Sequence, residues 1–136
     1  MTKTSHVGTT PGHTTILLVD DDQEFRGLLK RLLEKDTRLR VTAEATDGAE
    51  AIELARTLTP DIILMDLAMP GINGLEATRR IKGEHPAMKI IIFTQYAEDV
   101  YHRAATDSGA DRFLSKRTRL TDLLATIRQV ADEKTR

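Results

Sequence analysis

Cysteine is absent from this chain, so it has neither a disulfide framework nor a thiolate metal site, which suits a reducing compartment. Long apolar runs are missing too. Nothing approaches the roughly 18 residues of a membrane-spanning helix, and the first residues lack the apolar core of a signal peptide. Neither sign of charge prevails: 20 Lys and Arg stand against 21 Asp and Glu, leaving no general electrostatic footprint for nucleic acid or an anionic membrane. A cytoplasmic protein with no direct nucleic-acid or membrane contact of its own is expected. The four histidines show no metal-ligand spacing, and the pairs Arg79-Arg80 and Lys116-Arg117 read as solvated surface. The length of 136 residues fits one domain that buries roughly two-thirds of its unfolded surface without covalent staples.

What is present is an alternation of short apolar runs with amphipathic segments, the pattern of βαβ units and a parallel sheet. Residues 1–15, rich in Thr, Gly, Pro and His, are expected to form a flexible N-terminal arm, and 16–134 the folded domain. Strands are predicted at 16–19, 39–45, 62–65, 89–93 and 112–114. Three of them are apolar without alternation, as strands covered on both faces should be. Between them, Phe25, Leu28, Leu29, Leu32 and Leu33 predict one buried helical stripe, and Ala51, Ile52, Ala55 and Leu58 a second. Leu75, Thr78 and Ile81 mark a third helix, 97–108 a fourth, and the run from Leu120 to Ala131 a fifth. Asp21 or Asp22, Asp47-Gly48 and Asn73-Gly74 are the expected helix starts. Right-handed crossovers then place helices on both faces of a five-stranded sheet.

The chemistry collects where strands end. Asp66 closes Ile62-Ile63-Leu64-Met65 and precedes Leu67-Ala68-Met69-Pro70-Gly71, so a carboxylate stands at the carboxyl edge of a buried strand, where open α/β sheets bind ligands. Asp20 and Asp21 end the run Ile16-Leu17-Leu18-Val19, Thr94 follows the fourth strand and Lys116 the fifth. Clustered carboxylates raise one another's pKa unless a cation offsets them. Mg²⁺ takes hard oxygen ligands together with phosphate, and Lys116 would supply a fixed positive charge. Each residue also has a plainer reading: Asp21 or Asp22 as a helix cap with Glu24 at capping-box spacing from Asp21, Asp66 as a turn acid, Thr94 and Lys116 as loop residues, Phe113 as core.

The VDDD of the first strand, the segment IILMDLAMPGINGLEATRRIK, the FT of the fourth strand and the SK after the fifth together resemble the receiver domain of bacterial response regulators, from residue 16 to about 133. The resemblance implies a flavodoxin-like (βα)₅ three-layer sandwich of strand order 2-1-3-4-5. It implies phosphoryl transfer in a two-component relay, from a sensor histidine kinase or phosphotransfer protein onto Asp66. Asp20, Asp21, Asp66 and the Ala68 carbonyl would hold Mg²⁺, while Thr94 and Lys116 would bind the phosphoryl group. Thr94 and Phe113 would switch a surface read by a downstream effector, with pairing to a second copy on phosphorylation. Such a protein catalyses only its own phosphorylation and dephosphorylation.

Several positions depart from the commonest family pattern. Arg117 stands where proline is frequent, and Gln95 where a small residue is usual, so a long amide is expected near the phosphoryl oxygens. Ala68 and Tyr96 occupy positions that flank the site and are associated in the family with phosphoryl lifetime, and slow self-dephosphorylation is expected from them. Three other readings stay open. One is a degenerate receiver used for docking. Another is the input half of a DNA-binding regulator, since the pattern is nearest to receivers joined to helix-turn-helix domains of the LuxR/NarL type. The third is a haloacid-dehalogenase-like phosphatase with Asp20 as nucleophile and Asp22 as the second acid.

Overall fold

The computed structural model describes residues 13–134. The element order is β1 (Thr14–Val19), α1 (Gln23–Leu33), β2 (Leu39–Ala45), α2 (Gly48–Leu58), β3 (Ile62–Met65), α3 (Gly74–Glu84), β4 (Lys89–Thr94), α4 (Asp99–Asp107), β5 (Arg112–Ser115) and α5 (Leu120–Lys134). All strand pairs are parallel, and the sheet order is β2-β1-β3-β4-β5, the flavodoxin-like arrangement.

Alternation along each central strand divides the core in two, because successive side chains point to opposite faces. Leu17, Val19, Ile63, Met65, Ile90 and Ile92 face Ala51 and Ala55 of α2, Ala77 and Ile81 of α3 and Ala105 of α4. Ile16, Leu18, Ile62, Leu64, Ile91 and Phe93 face Leu29 and Leu33 of α1 and Leu123, Ile127 and Val130 of α5. The result is a three-layer sandwich whose strands are buried on both sides, which is why they read as unbroken apolar runs.

Helix starts follow capping chemistry. Asp22 accepts from the Phe25 N–H at 3.1 Å, Asp47 from Glu50 at 2.9 Å and Asn73 from Glu76 at 3.0 Å, each satisfying a donor the first turn leaves unpaired. Of the two caps considered for α1, Asp22 takes the role. That leaves Asp21 available to the sheet edge.

Four expectations need correction. The boundary at residue 15 moves, because β1 already includes Thr14 and Thr15; the expected arm over residues 1–12 lies outside the described residues. Thr15 donates through both its N–H and its hydroxyl to Asp61 Oδ2, at 2.9 and 3.1 Å. Leu28 and Leu58, expected to point inward, are each 46% exposed. Of the expected α1 stripe Leu29 and Leu33 are buried and Phe25 packs on them, and Arg26, not expected there, is buried with them. Helix α4 begins at Asp99 rather than 97.

Candidate functional site

With β1 flanked by β2 and β3, the chain leaves β1 and β3 in divergent directions and opens a crevice at their carboxyl ends. Asp20 and Asp66 are the next residues after those strands, and backbone bonds fix both. The Asp20 N–H donates to the Ala45 carbonyl and the Asp66 N–H to the Val19 carbonyl, each at 3.0 Å. Asp66 is 6% exposed and Asp20 5%. Asp21, on the turn into α1, is exposed. One carboxylate oxygen from each of the three lies within 4.8 Å of the other two.

Lys116 reaches this cluster from the loop after β5. Its backbone N–H is tied to the Thr94 carbonyl at 2.8 Å. Its Nζ stands 2.6 Å from Asp20 Oδ2 and 3.4 Å from Asp66 Oδ2, and 4.4 Å above the centre of the Phe25 ring. The other oxygens are also engaged: Asp20 Oδ1 accepts from the Asp22 N–H at 2.9 Å, Asp66 Oδ1 from the Leu67 N–H at 2.8 Å. Residues from three loops, those after β1, β3 and β5, therefore converge on one acidic pocket.

Burial pushes the Asp66 carboxyl above its ordinary pKa. The Lys116 charge opposes this, Asp20 adds to it, and hydrogen bonds from Thr94 and Leu67 oppose it without reversing it. For Lys116, burial favours the neutral amine, but the hydrogen bond to Asp20 and the charges of Asp66 and Asp20 outweigh it, so the ammonium is held charged.

Three carboxylates against one ammonium leave two uncompensated negative charges, and every donor atom in the cluster is a hard oxygen. That donor set fits a divalent ion of the Mg²⁺ class and offers nothing to a thiophilic metal.

The remaining predicted residues take different places on the loops and strands beside this centre. Ala68 is exposed on the loop two residues beyond Asp66. Thr94, fully buried, ends β4, and its hydroxyl accepts from the Tyr96 N–H at 3.2 Å. Gln95 is exposed, and the Tyr96 ring packs on Tyr101 of α4 with centroids 5.6 Å apart. Phe113 sits on β5, half-buried, away from the carboxylates, with His102 stacked on it at 4.8 Å and 6°. Arg117 is exposed, its N–H bound to Ser115 Oγ, and no cis peptide occurs among the described residues. Asp22 caps α1 instead of facing the pocket, which removes the second acid that a dehalogenase-like arrangement requires.

Two contributors were missed from sequence. Arg26 Nη1 donates to the Asp20 carbonyl at 2.5 Å while its Nε holds Glu44 Oε1 at 3.0 Å. The available signal was its helical spacing of three from Leu29 and seven from Leu33, which puts a cation on the apolar stripe. Phe25 supplies the ring beneath Lys116; the sequence placed it on the α1 stripe but gave no sign of that contact.

Comparison with known proteins agrees with this geometry. The family described as response regulator receiver domain matches residues 16–128. Response regulator GacA of Pseudomonas aeruginosa is 37% identical over 115 residues, which is 85% of this chain and 54% of GacA. The nitrate/nitrite response regulator protein NarL of Escherichia coli is 40% identical over 119 residues, 86% of this chain and 54% of NarL. The chain thus spans about half the length of these curated relatives. Among solved structures, a LuxR-family two-component response regulator from Aurantimonas superposes with a TM-score of 0.86 at 36% identity, covering 89% of this chain and 86% of that one. The response regulator domain of Thermotoga maritima CheB gives 0.81 at 33%, covering 88% and 97%. No helix among the described residues is long and apolar enough to cross a membrane. A matched family spanning most of the chain, a sheet of the same order and an acidic crevice at its switch point lead to one assignment: this chain belongs to the response regulator receiver domains of two-component systems.

Proposed function

We propose that this domain accepts a phosphoryl group on Asp66 from a phosphohistidine of a sensor histidine kinase or phosphotransfer protein, in the cytoplasm and with Mg²⁺ bound. The observation that carries the reading is the Lys116 ammonium lying between the buried Asp20 and Asp66, beside a third carboxylate.

In the transfer an Asp66 carboxylate oxygen forms a bond to phosphorus as the bond from phosphorus to the donor imidazole nitrogen breaks. The leaving imidazole keeps the bonding pair and takes a proton from solvent. Little covalent chemistry is asked of the protein beyond in-line positioning and charge neutralisation. Asp20, Asp21, Asp66 and the Ala68 carbonyl would hold Mg²⁺, which when bound neutralises the oxygens of the group in transit. Lys116, already charged beside Asp66, binds a phosphoryl oxygen. Burial, which raises the pKa of the acceptor, also limits access of water to the acyl phosphate.

The signal then passes through Thr94. Its hydroxyl, now bound to the Tyr96 N–H, turns toward the phosphoryl oxygen and draws the loop after β4 inward, and Phe113 follows. This is a two-state element whose balance the new charge shifts, and the face of α4, β5 and α5 is what an effector or a second copy would read. The protein catalyses only its own phosphorylation and dephosphorylation.

Mass measurement after treatment with acetyl phosphate and Mg²⁺ tests the reading. One phosphoryl group is expected on the wild type and none on Asp66→Asn. Labelling that survives in the variant puts the acceptor elsewhere.

A further inference from the structure

The most costly side chain near the site is one the transfer itself does not use. Arg26 is only 8% exposed, although a guanidinium is rarely taken out of water without bonds that compensate. Its compensation is specific: Nη1 donates to the Asp20 carbonyl at 2.5 Å, and Nε donates to Glu44 Oε1 at 3.0 Å. Glu44 lies on β2 in register with Leu18, so the sheet itself delivers the carboxylate to the end of β1. The Arg26 backbone N–H meanwhile bonds the Asp22 carbonyl in the first turn of α1. One side chain thereby links α1, β2 and the β1–α1 turn.

That turn carries two of the three pocket acids. Asp20 is held at every polar atom it has: its N–H by Ala45, its carbonyl by Arg26, Oδ1 by the Asp22 N–H and Oδ2 by Lys116. Remove the bond to its carbonyl, and the peptide joining Asp20 to Asp21 is free to rotate. An unpaired cation so close to the pocket would also repel any metal ion bound there. Glu44 cancels that charge.

We propose that Arg26 is a positioning residue for the acidic pocket, fixing the Asp20–Asp21 turn for cation binding while Glu44 neutralises it so that it does not oppose the ion. The inference rests on the proposed function and adds how that site is held in shape. A merely structural ion pair would stabilise the fold equally, yet leave the pocket's affinity for Mg²⁺ untouched.

The test is Mg²⁺ titration of chelator-stripped protein, followed by amide chemical shifts of the β1–α1 turn, with acetyl phosphate labelling measured in parallel. In R26M/E44Q both charges are gone, so a change in affinity reports the lost bond to Asp20 rather than an unbalanced charge. About tenfold weaker Mg²⁺ binding is expected, in the range found when outer-shell partners of metal ligands are removed. Labelling should fall at low Mg²⁺ and recover at saturating Mg²⁺. E44Q alone should also bind Mg²⁺ more weakly, because its guanidinium is no longer neutralised. Wild-type affinity in a folded R26M/E44Q overturns the inference. Should that variant fail to fold, R26K decides, since an ammonium keeps the charge and loses the planar fork. Several-fold weaker binding supports the proposal, and unchanged binding overturns it. A wild-type protein that takes up no Mg²⁺ overturns the underlying reading together with this one, whereas normal wild-type binding with an unaffected variant overturns this one alone.

Discussion

Gly74 stands against the Asp66 backbone so closely that a Cβ at position 74 would come within 2.0 Å of the Asp66 carbonyl oxygen. The Gly74 N–H also donates to the Leu67 carbonyl at 3.0 Å, so the start of α3 is pressed onto the loop that carries Asp66. Helix propensity alone would favour alanine here by up to about 1 kcal/mol. The clash is with backbone and cannot be relieved by a rotamer, so the steric effect should win. Gly74→Ala is expected to cost roughly 1–3 kcal/mol in denaturant unfolding, as overpacking does, and to slow labelling of Asp66. Gly83→Ala is the control: it lies in the same helix with nothing within 4 Å of the added carbon, and should stabilise by about 0.5–1 kcal/mol. Equal effects at the two positions would refute the packing argument.

Acid stability should depend on a residue far from the pocket. Asp36, in the α1–β2 loop, accepts from the Arg38 N–H, Nε and Nη2 at 3.0 to 3.1 Å and from Arg128 Nη2 of α5 at 2.9 Å. The Arg38 side-chain hydrogen bonds foremost, then its backbone N–H and Arg128, hold this carboxyl well below its ordinary value of 3.8. The folded form therefore binds the proton less readily than the unfolded chain. Its contribution to stability is complete above about pH 4 and is lost as pH falls below that toward the depressed value. Urea unfolding between pH 6 and pH 2 should show Asp36→Asn less stable than wild type at pH 6, with the gap closing toward pH 2. A constant gap would show that the asparagine acts by some route other than charge.

How much of this was legible in the chain depends on whether the cause was local. Asp66 stood out because an apolar run, an acid and a Pro-Gly break are adjacent in sequence, and the central strands stood out because unbroken apolar runs match burial on both sheet faces, whereas the strand order came with the family resemblance. The start of β1 was missed because Thr15 is held by Asp61, 46 residues away, and a threonine gives no apolar signal. On α1 the expected Leu29, Leu33 and Phe25 do face the core, but leucine identity misled at one position: Leu28 faces solvent while Arg26 turns inward to bonds with Asp20 and Glu44. Leu58, in the last turn of α2, runs out past the core that Ala51 and Ala55 fill. Identity of residues predicted the pocket; its supports came from tertiary partners that no local pattern encodes.

The proposed switch would be followed at one ring pair. His102 lies parallel to Phe113 at 4.8 Å, so any rotation of Phe113 must break that stack. Adding beryllofluoride with Mg²⁺ should shift the resonances of Thr94, Phe113 and His102 together, and His102→Ala should leave the Thr94 shift in place while broadening or moving that of Phe113. If beryllofluoride binds at Asp66 and none of the three responds, the domain is a docking module and not a phosphorylation-driven switch.

The lifetime of the phosphoryl group should be long, for reasons visible on either side of the acceptor. Hydrolysis of the aspartyl phosphate needs a water aligned on phosphorus opposite Asp66, and a side chain able to hold it there. Ala68, exposed two residues beyond Asp66, brings only a methyl group. On the other side the Tyr96 N–H is bound to the Thr94 hydroxyl and its ring is packed on Tyr101, so this side chain is engaged with α4 and brings no carboxylate to a water. Replacing Ala68 with Glu supplies the missing acceptor for a water proton. The expected decay after removal of acetyl phosphate is slow in the wild type and faster by roughly an order of magnitude in Ala68→Glu, below the hundredfold or more that a fully positioned general base gives. Rapid wild-type decay in Mg²⁺, unchanged by the substitution, would mean that water reaches phosphorus without help from either flank.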